Sequence, residues 1–410
     1  MRRVPATLSI LVAIAAASTA RPQSAASRWP LEIKPIVSPA ARASAQPQLT
    51  VSDRGVLLSW LESSGPRATL KFAERSGAAW SDPTTVGSGD DWIVNWADVP
   101  SVMRLADGTL AAQWVQTSGA GTSGSDVRLS YSKDNGKTWS ASFMPHNDGT
   151  AAPHGFASLF QMPGGGLGVI WLDGRAKKGG QRGQGGGGDT SVRFASFDRE
   201  WKQTGDIPLD LRICECCPTT AAVTANGPIV AFRDRSPDDV RDIRVARLDN
   251  GKWTEHVTVH ADNWRINACP INGPVLSARG RNLAIAWFTA KDDTPQAYVA
   301  FSKDAGRTFG APIRLDDEAT LGRVDIELLP DGSAAALFIE QADTRGQVRV
   351  RRVEPSGAKS EALLVASIDR SGPAGGFPRM AFHGNEVVFA WIERESDRTS
   401  RVRTAAARLP

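Results

Sequence analysis

PSVMRLADGTLAAQW, residues 100–114, decides the fold. Apolar residues alternate with polar ones on either side of Asp107-Gly108, a dipeptide suited to a tight hairpin turn, and Trp114 closes the second arm. The same design, a proline or glycine, an alternating arm, a turn and an arm ending in an aromatic, recurs along the chain. Its other copies are Pro47–Trp60, Gly155–Trp171, Pro218–Phe232, Pro270–Trp287, Val324–Phe338 and Pro378–Trp391. Asn226-Gly227 and Asp331-Gly332 show the turn as openly as Asp107-Gly108 does. The closing aromatics fall 54, 57, 61, 55, 51 and 53 residues apart, the regularity of a repeat architecture.

Each hairpin is followed by a third alternating strand, as in Val127–Tyr131, Ile243–Ala246 and Ala297–Phe301. A short fourth strand flanked by proline follows, such as Ala311–Leu315. Four antiparallel strands per period of about 55 residues make a propeller blade. The seventh copy ends after its third strand, Arg401–Ala407. Leu31–Val37 is therefore expected to supply the missing fourth strand and leave no open edge. The expected fold is all-β, a single seven-bladed β-propeller with N-terminal strand closure, six blades being the alternative count. Two stacked β-domains would not call for spacing this even.

Composition fits. Of 410 residues, 39 are Gly and 25 Pro, enough for many turns, and 41% are hydrophobic, which excludes wholesale disorder. The net charge of +4 comes from 48 basic and 44 acidic residues interleaved along the chain, which does not mark nucleic acid as a partner. Residues 1–26 read as a signal peptide: Arg2 and Arg3, an apolar run Leu8–Ala20, then small residues around Ser24-Ala25-Ala26. An uncleaved anchor is the competing reading, but the run is short for a bilayer and no stable membrane span is expected. Residues 27–410 form the propeller in this division, as a monomer in the periplasm or secreted.

The turns after the third strands carry a second pattern. Ser132-Lys-Asp-Asn-Gly-Lys-Thr-Trp139 and Ser302-Lys-Asp-Ala-Gly-Arg-Thr-Phe309 fit the Asp-box, Ser-x-Asp-x-Gly-x-x-Trp. Degenerate versions stand at Glu74–Trp80, Asp198–Trp201 and Asp249–Trp253. The aspartate is suited to accept N–H groups inside the turn, glycine to adopt positive φ, and the aromatic to pack into the blade. On these motifs the chain resembles the sialidase-like (BNR/Asp-box repeat) β-propeller superfamily, and within it exported proteins with a Cys-x-Cys-Cys run. The resemblance covers most of the mature chain. It implies an anionic small molecule or glycan bound on the axial face, opposite the Asp-boxes, and glycoside hydrolysis if the protein is an enzyme. True sialidases use an arginine triad, a Tyr/Glu nucleophile pair and an Asp acid/base. Here the two tyrosines, Tyr131 and Tyr298, both adjoin Asp-boxes, and no Arg-Ile-Pro opens the first blade, which argues against classical exo-sialidase chemistry.

Propeller register puts the starts of first strands, the ends of second strands and the starts of third strands on one face. Asp98, His154, the run Cys214–Cys217, Cys269, Asn272, Arg323, Asp325 and Arg379 open first strands. Glu62, Gln116, Asp173, Asp234, Thr289, Glu340 and Glu393 lie two places beyond the closing aromatics, with Arg175, Arg233, Arg241 and Asp242 nearby. Arg233, Arg323 and Arg379 are candidates to clamp an anion, because guanidinium forks suit carboxylates. Arg175, Asp325, His154 and Asn272 join them as candidate ligand contacts. Asp98, Asp173 and Asp234 are the candidate catalytic acids, since glycoside cleavage needs paired carboxylates. The competing reading is that these charges pair off between blades.

Cys217-Pro218 and Cys269-Pro270 hold the same place in successive repeats, so their loops are expected to meet beside the axis. Disulfides fit an exported chain. A copper or zinc site drawn from Cys214, Cys216, Cys217, Cys269, His154 and His260 fits as well, as do redox-active thiols. The run Gly179–Gly188, with Lys177, Lys178 and Arg182, lacks the strand–loop–helix setting of a phosphate loop and reads as a basic flap. A non-catalytic interaction scaffold completes the set of functions that the sequence admits.

Overall fold

Seven small antiparallel sheets, each a meander, follow one another along the chain. The computed structural model describes residues 28–119, 124–177, 188–342, 345–369, 375–395 and 399–409. Residues 1–26, and the glycine-rich run apart from Gly188, lie outside them. Blade I comprises Ser44–Ser52, Gly55–Ser64, Arg67–Arg75 and Thr84–Gly89. Blade II has Ser101–Arg104, Leu110–Thr117 and Ser125–Ser132, its fourth strand reduced to a bridge between Leu129 and Phe143. Blade III is His154–Gln161, Leu167–Asp173, Ser191–Phe197 and Gln203–Asp210. Blade IV is Thr220–Thr224, Gly227–Arg233, Ile243–Asp249 and Val257–Thr258, with a side hairpin at Lys252–Trp253. Blades V and VI start with Val275–Arg279 and Thr320–Leu328. Blade VII is Arg379–His383, Glu386–Arg394 and Ser400–Arg408, and Lys34–Ile36 adds to it as the fourth strand, Lys34 opposite Ala406 and Ile36 opposite Thr404. The chain thus closes the ring with its N-terminal strand, as expected, in seven blades.

The core is divided into seven apolar layers, one between each pair of neighbouring blades. The layer between blades VI and VII takes in Trp29 and Leu31 ahead of the closing strand. The layer between blades I and II contains Leu70, Phe72, Leu110 and Trp114. Residues alternate in direction along a strand, so each blade gives one face to each neighbour, which is why the sheets show little polar alternation in their second strands. Among the described residues no helix is long and apolar enough to cross a membrane.

The two complete Asp-box turns share one hydrogen-bond pattern. Asp134 accepts the hydroxyl of Thr138 at 2.7 Å, its N–H at 2.9 Å and the hydroxyl of Ser132 at 2.8 Å. These donors, that of Thr138 first, hold its carboxyl at about 2. Asp304 makes the same bonds to Thr308 and Ser302. Positive φ is needed at two consecutive positions, Asn135 and Gly136 in one turn, Ala305 and Gly306 in the other. Trp139 then packs edge-on to Phe72 of blade I, 6.2 Å between centroids, so the turn of one blade fastens it to the blade before.

All seven closing aromatics lie on second strands and are at most 9% exposed. Their cross-strand partners on the third strands are Lys71, Arg128, Arg193, Arg244, Tyr298, Arg349 and Arg403, six bases out of seven. In four blades that base reaches the acid two places beyond the aromatic: Lys71 to Glu62, Arg244 to Asp234, Arg349 to Glu340 and Arg403 to Glu393. Trp60 and Trp171 also donate their indole N–H to Glu62 and Asp173 at 2.9 Å. The carboxylate at this position is therefore part of how a blade is built, and its recurrence needs no ligand.

Candidate functional site

The first strands of all seven blades line an axial channel of about 220 Å³. Ala97, Phe156, Pro218, Gly273, Val324 and Phe377, near the starts of first strands, mark one end of it. The backbone at this end is strained. Gln46, Phe156 and Arg323 have φ of 56°, 54° and 49°, and each sits where its first strand is bulged against the second. Ile271 in the loop before blade V has φ 48°. Each such residue costs about 1–3 kcal/mol, and this kind of strain gathers at binding sites.

Three side chains from three blades stack at this mouth. Trp96 lies on Phe377 with ring centroids 5.8 Å apart and planes 16° from parallel. The Arg323 guanidinium lies 4.7 Å from the Trp96 ring, and donates to the Gly376 carbonyl at 3.0 Å. Trp96 and Arg323 are half-buried, and burial lowers Arg323 to about 10. The Arg323 N–H donates to Asn272 Oδ1 at 2.8 Å, while the Asn272 amide reaches the carbonyls of Pro270 and Leu321. Asn272 thus fixes the loop that carries Arg323 to the mouth.

Two residues further down the same strands stand Asp325 and Arg379, and two beyond Asp325 stands Glu327; all three line the channel. Asp325 accepts the N–H groups of Met380 at 2.8 Å and Ile326 at 2.9 Å. Burial raises its carboxyl to about 6 against the opposing charge of Arg379. Arg379 lies 5.5 Å from the Phe377 ring, and its buried Nε has no hydrogen-bond partner. Glu327 accepts the Ser277 hydroxyl at 2.9 Å, and burial together with the charge of Asp325 raises it to about 8. Glu327 is absent from the sequence-derived candidates. Its signal is the alternation Val324-Asp-Ile-Glu-Leu328, which sends the apolar residues to the layer between blades V and VI and the acids to the axis.

The remaining candidates occupy other places. Arg233, 1% exposed, donates to the carbonyls of Asn272, Arg241 and Phe288 at 2.9, 2.6 and 2.6 Å, with Trp264 against its face. It ties blades IV and V together and presents no fork to the channel. Asp98 accepts the Phe156 N–H at 2.7 Å and holds the strained turn there. Asp234 is paired with Arg244 at 3.0 Å, and burial raises its carboxyl. None of these three is among the channel-lining residues.

Asp173 and His154 belong to a buried polar cluster between blades II and III. Asp173, fully buried, receives Arg175 at 2.7 and 2.8 Å as well as the Trp171 indole. Burial pushes its carboxyl up, and Arg175 with His154 brings it below the usual range. His154 faces Asp148 at 3.0 Å and Asp173 at 3.5 Å through Nε2, and the Ser125 carbonyl at 2.9 Å through Nδ1. His146 stacks on His154 at 3.8 Å, is pushed down to about 4 by burial and by His154, and has an unpartnered Nε2. Asp126, His146 and His154, or Asp148, His154 and Asp173, are spaced to hold a cation. Arg175, 3.3 Å from Asp148 and 2.7 Å from Asp173, already sets a cation against both carboxylates of the second set.

The cysteine loops meet as their repeat positions imply. Cys214 Sγ is 3.1 Å from Cys217 Sγ and 3.7 Å from Cys216 Sγ, and Cys269 lies outside this trio. Burial opposes ionisation of Cys214, but the thiols of Cys216 and Cys217 and the charge of Arg241 draw it well down. The histidines are elsewhere. His154 is in the carboxylate cluster, and His260, 43% exposed, lies 3.8 Å from Asp262. Among the described residues the only group with ligand spacing that contains cysteine is all sulfur. Tyr131 is stacked on Trp201 and edge-on to Phe143, on the Asp-box side.

No protein-family profile matches the chain. No curated protein sequence matches it either. Among solved structures, it is similar to the polysaccharide lyase Uly1, with a TM-score of 0.52 and 12% identity over 89% of this chain and 90% of that one. It is also similar to an alpha-L-arabinanase of Penicillium chrysogenum solved with arabinobiose, with a TM-score of 0.51 and 14% identity over 78% and 95%. A variant of the NanB sialidase from Streptococcus pneumoniae aligns with a TM-score of 0.47 and 11% identity over 86% and 83%. At these identities the likeness of the first two is one of fold alone.

Proposed function

We propose that this chain is an exported propeller that binds an anionic glycan at the mouth of its axial channel. The observation that carries the reading is the stack of Arg323 on Trp96 and Trp96 on Phe377, assembled from three blades with Arg323 held at a positive φ. An aromatic face suits the apolar C–H face of a sugar ring, and a guanidinium beside it suits the carboxylate or sulfate of a charged one. Arg379, with its unpartnered Nε, adds positive charge inside the channel. That a polysaccharide lyase and an arabinanase share the fold supports a glycan as ligand. Export, as the first 26 residues predict, would place the site where extracellular polysaccharide is met.

Binding comes first in this reading. Where cleavage accompanies it, Glu327 is the acid on offer, held protonated near neutrality beside Asp325. The test is calorimetric titration with uronate-containing or sialylated oligosaccharides against neutral ones of equal length. Wild type should prefer the charged ligand, Arg323→Gln should remove that preference, and Trp96→Ala should weaken both by tenfold or more. Equal affinity of wild type and Arg323→Gln for every charged oligosaccharide would overturn it.

A further inference from the structure

We propose that Cys214, Cys216, Cys217 and Cys269 form an all-sulfur site for one thiophilic d10 cation, Zn(II) or Cu(I), at the junction of blades IV and V. Cys214, Cys216 and Cys217 already stand at ligand spacing, while Cys269, from the equivalent loop of the next repeat, lies outside that trio and has to close onto it as the fourth ligand. The Cys214 N–H is anchored on the Arg233 carbonyl at 2.9 Å, which fixes one loop to the end of a second strand. A Cβ on Gly273 would fall 2.0 Å from the Pro218 carbonyl, so the other loop packs directly on the first. With metal–sulfur bonds of about 2.3 Å, the sulfurs of a tetrahedral site stand about 3.8 Å apart. The Cys214–Cys216 separation of 3.7 Å is already that length, and the Cys214–Cys217 separation of 3.1 Å has only to open slightly.

Charge decides between a metal site and disulfides. Arg241, 3% exposed, donates from its Nη1 to Cys214 Sγ at 3.2 Å, its Nε has no partner, and among the described residues its one carboxylate neighbour is Asp239, 3.6 Å from Nη2. Arg233, equally buried, donates to three neutral carbonyls and lies against the Trp264 face. Glu215, in the same run, is paired with Lys177. Buried guanidinium charges need nearby anions, and the partly exposed Asp239 offsets at most one of these two. Disulfide sulfur is neutral and a weak acceptor, whereas a Zn(II) ion with four thiolates, or Cu(I) with three, carries net negative charge against Arg241. On binding, each ligating thiol gives its proton to solvent and no electron moves, so no oxidant or reductant is required. Cys269, exposed while Cys214 and Cys217 are buried, marks the way in.

The full chain, purified anaerobically without chelator, would be assayed for metal content and for thiols titratable after denaturation, before and after reductant. The expected result is one ion per chain and four thiols in both titrations. Zn(II) and Cu(I) are separated by elemental analysis and by competition with a Cu(I)-selective chelator, and Co(II) loading should give the thiolate-to-cobalt absorption of a sulfur-rich tetrahedral site. Cys269→Ser, at an exposed position, should fold with unchanged circular dichroism and lose affinity at least tenfold. Arg241→Gln should cost roughly 10–100-fold, the scale for a group that holds a ligand in place. No thiols before reduction and four after would overturn the proposal in favour of two disulfides. Four free thiols that take up neither Zn(II) nor Cu(I) would overturn it as well.

Discussion

Replacing Glu327 with glutamine should change how the stability of the propeller depends on pH. Glu327 lines the axial channel two residues below Asp325, and burial with that neighbour's charge moves its carboxyl from 4.5 to about 8. Between those values the folded chain keeps a proton that the unfolded chain has released. The folded state therefore binds more protons, and its stability falls as pH rises through the window. Below about 4.5 both states are protonated and the glutamate costs nothing by this route; above about 8 the full penalty is present. At about 1.4 kcal/mol per pH unit the upper bound is about 5 kcal/mol, and relaxation of the channel would leave a measurable part of it. Glutamine keeps the shape and an acceptor for the Ser277 hydroxyl but carries no charge. Urea unfolding at about pH 5 and about pH 9 should then show wild type losing more stability than Glu327→Gln, by between about 1 and 4 kcal/mol. A difference between the two proteins that stays flat across that range would refute the assignment of a protonated Glu327.

Arg233→Met removes the donor that satisfies three buried carbonyls at once, and should destabilise by at least about 3 kcal/mol in denaturant unfolding. Gly306→Ala places a Cβ 2.3 Å from Ile229 Cδ1 at φ +81°, and should cost about 1–3 kcal/mol, read as a lowered urea midpoint with unchanged slope. Trp29→Ala empties the layer between blades VI and VII beside the closing strand. It should cost about 3–5 kcal/mol and speed proteolysis at the chain's ends before the central blades.

Most of the fold was legible because the repeat writes its geometry into residue type. Each closing aromatic falls on a second strand, and the closing strand at Lys34–Ile36 follows from counting strands in the last copy. What the pattern did not reveal is the reduction of the fourth strand of blade II to a bridge at Phe143, nor the side hairpin of blade IV at Lys252–Trp253. Edge strands carry few packing constraints, so their length is weakly marked in sequence.

The site was legible in position but not in role, and the reason is physical. Register says where a Cα lies; it does not say which partners a side chain has already found. Arg233 and Arg323 both stand at the end of the propeller that register predicts, yet one binds three carbonyls and the other stacks on Trp96. The acids after the closing aromatics recur for a structural reason visible only when the third strand is laid beside the second, where Lys71, Arg244, Arg349 and Arg403 meet them. A position at which most blades repeat the same charge pair therefore argues for architecture. The positions that argue for function are those where one blade departs from its siblings. Among the described residues blade VI alone sends two acids down the channel, with Arg323 on a bulge at its mouth, and the loops before blades IV and V carry all four cysteines, three of them in contact. In a repeat protein whose blades solve the same packing problem seven times, those departures are what the shared fold does not require, and they are where a ligand or a metal ion should be sought first.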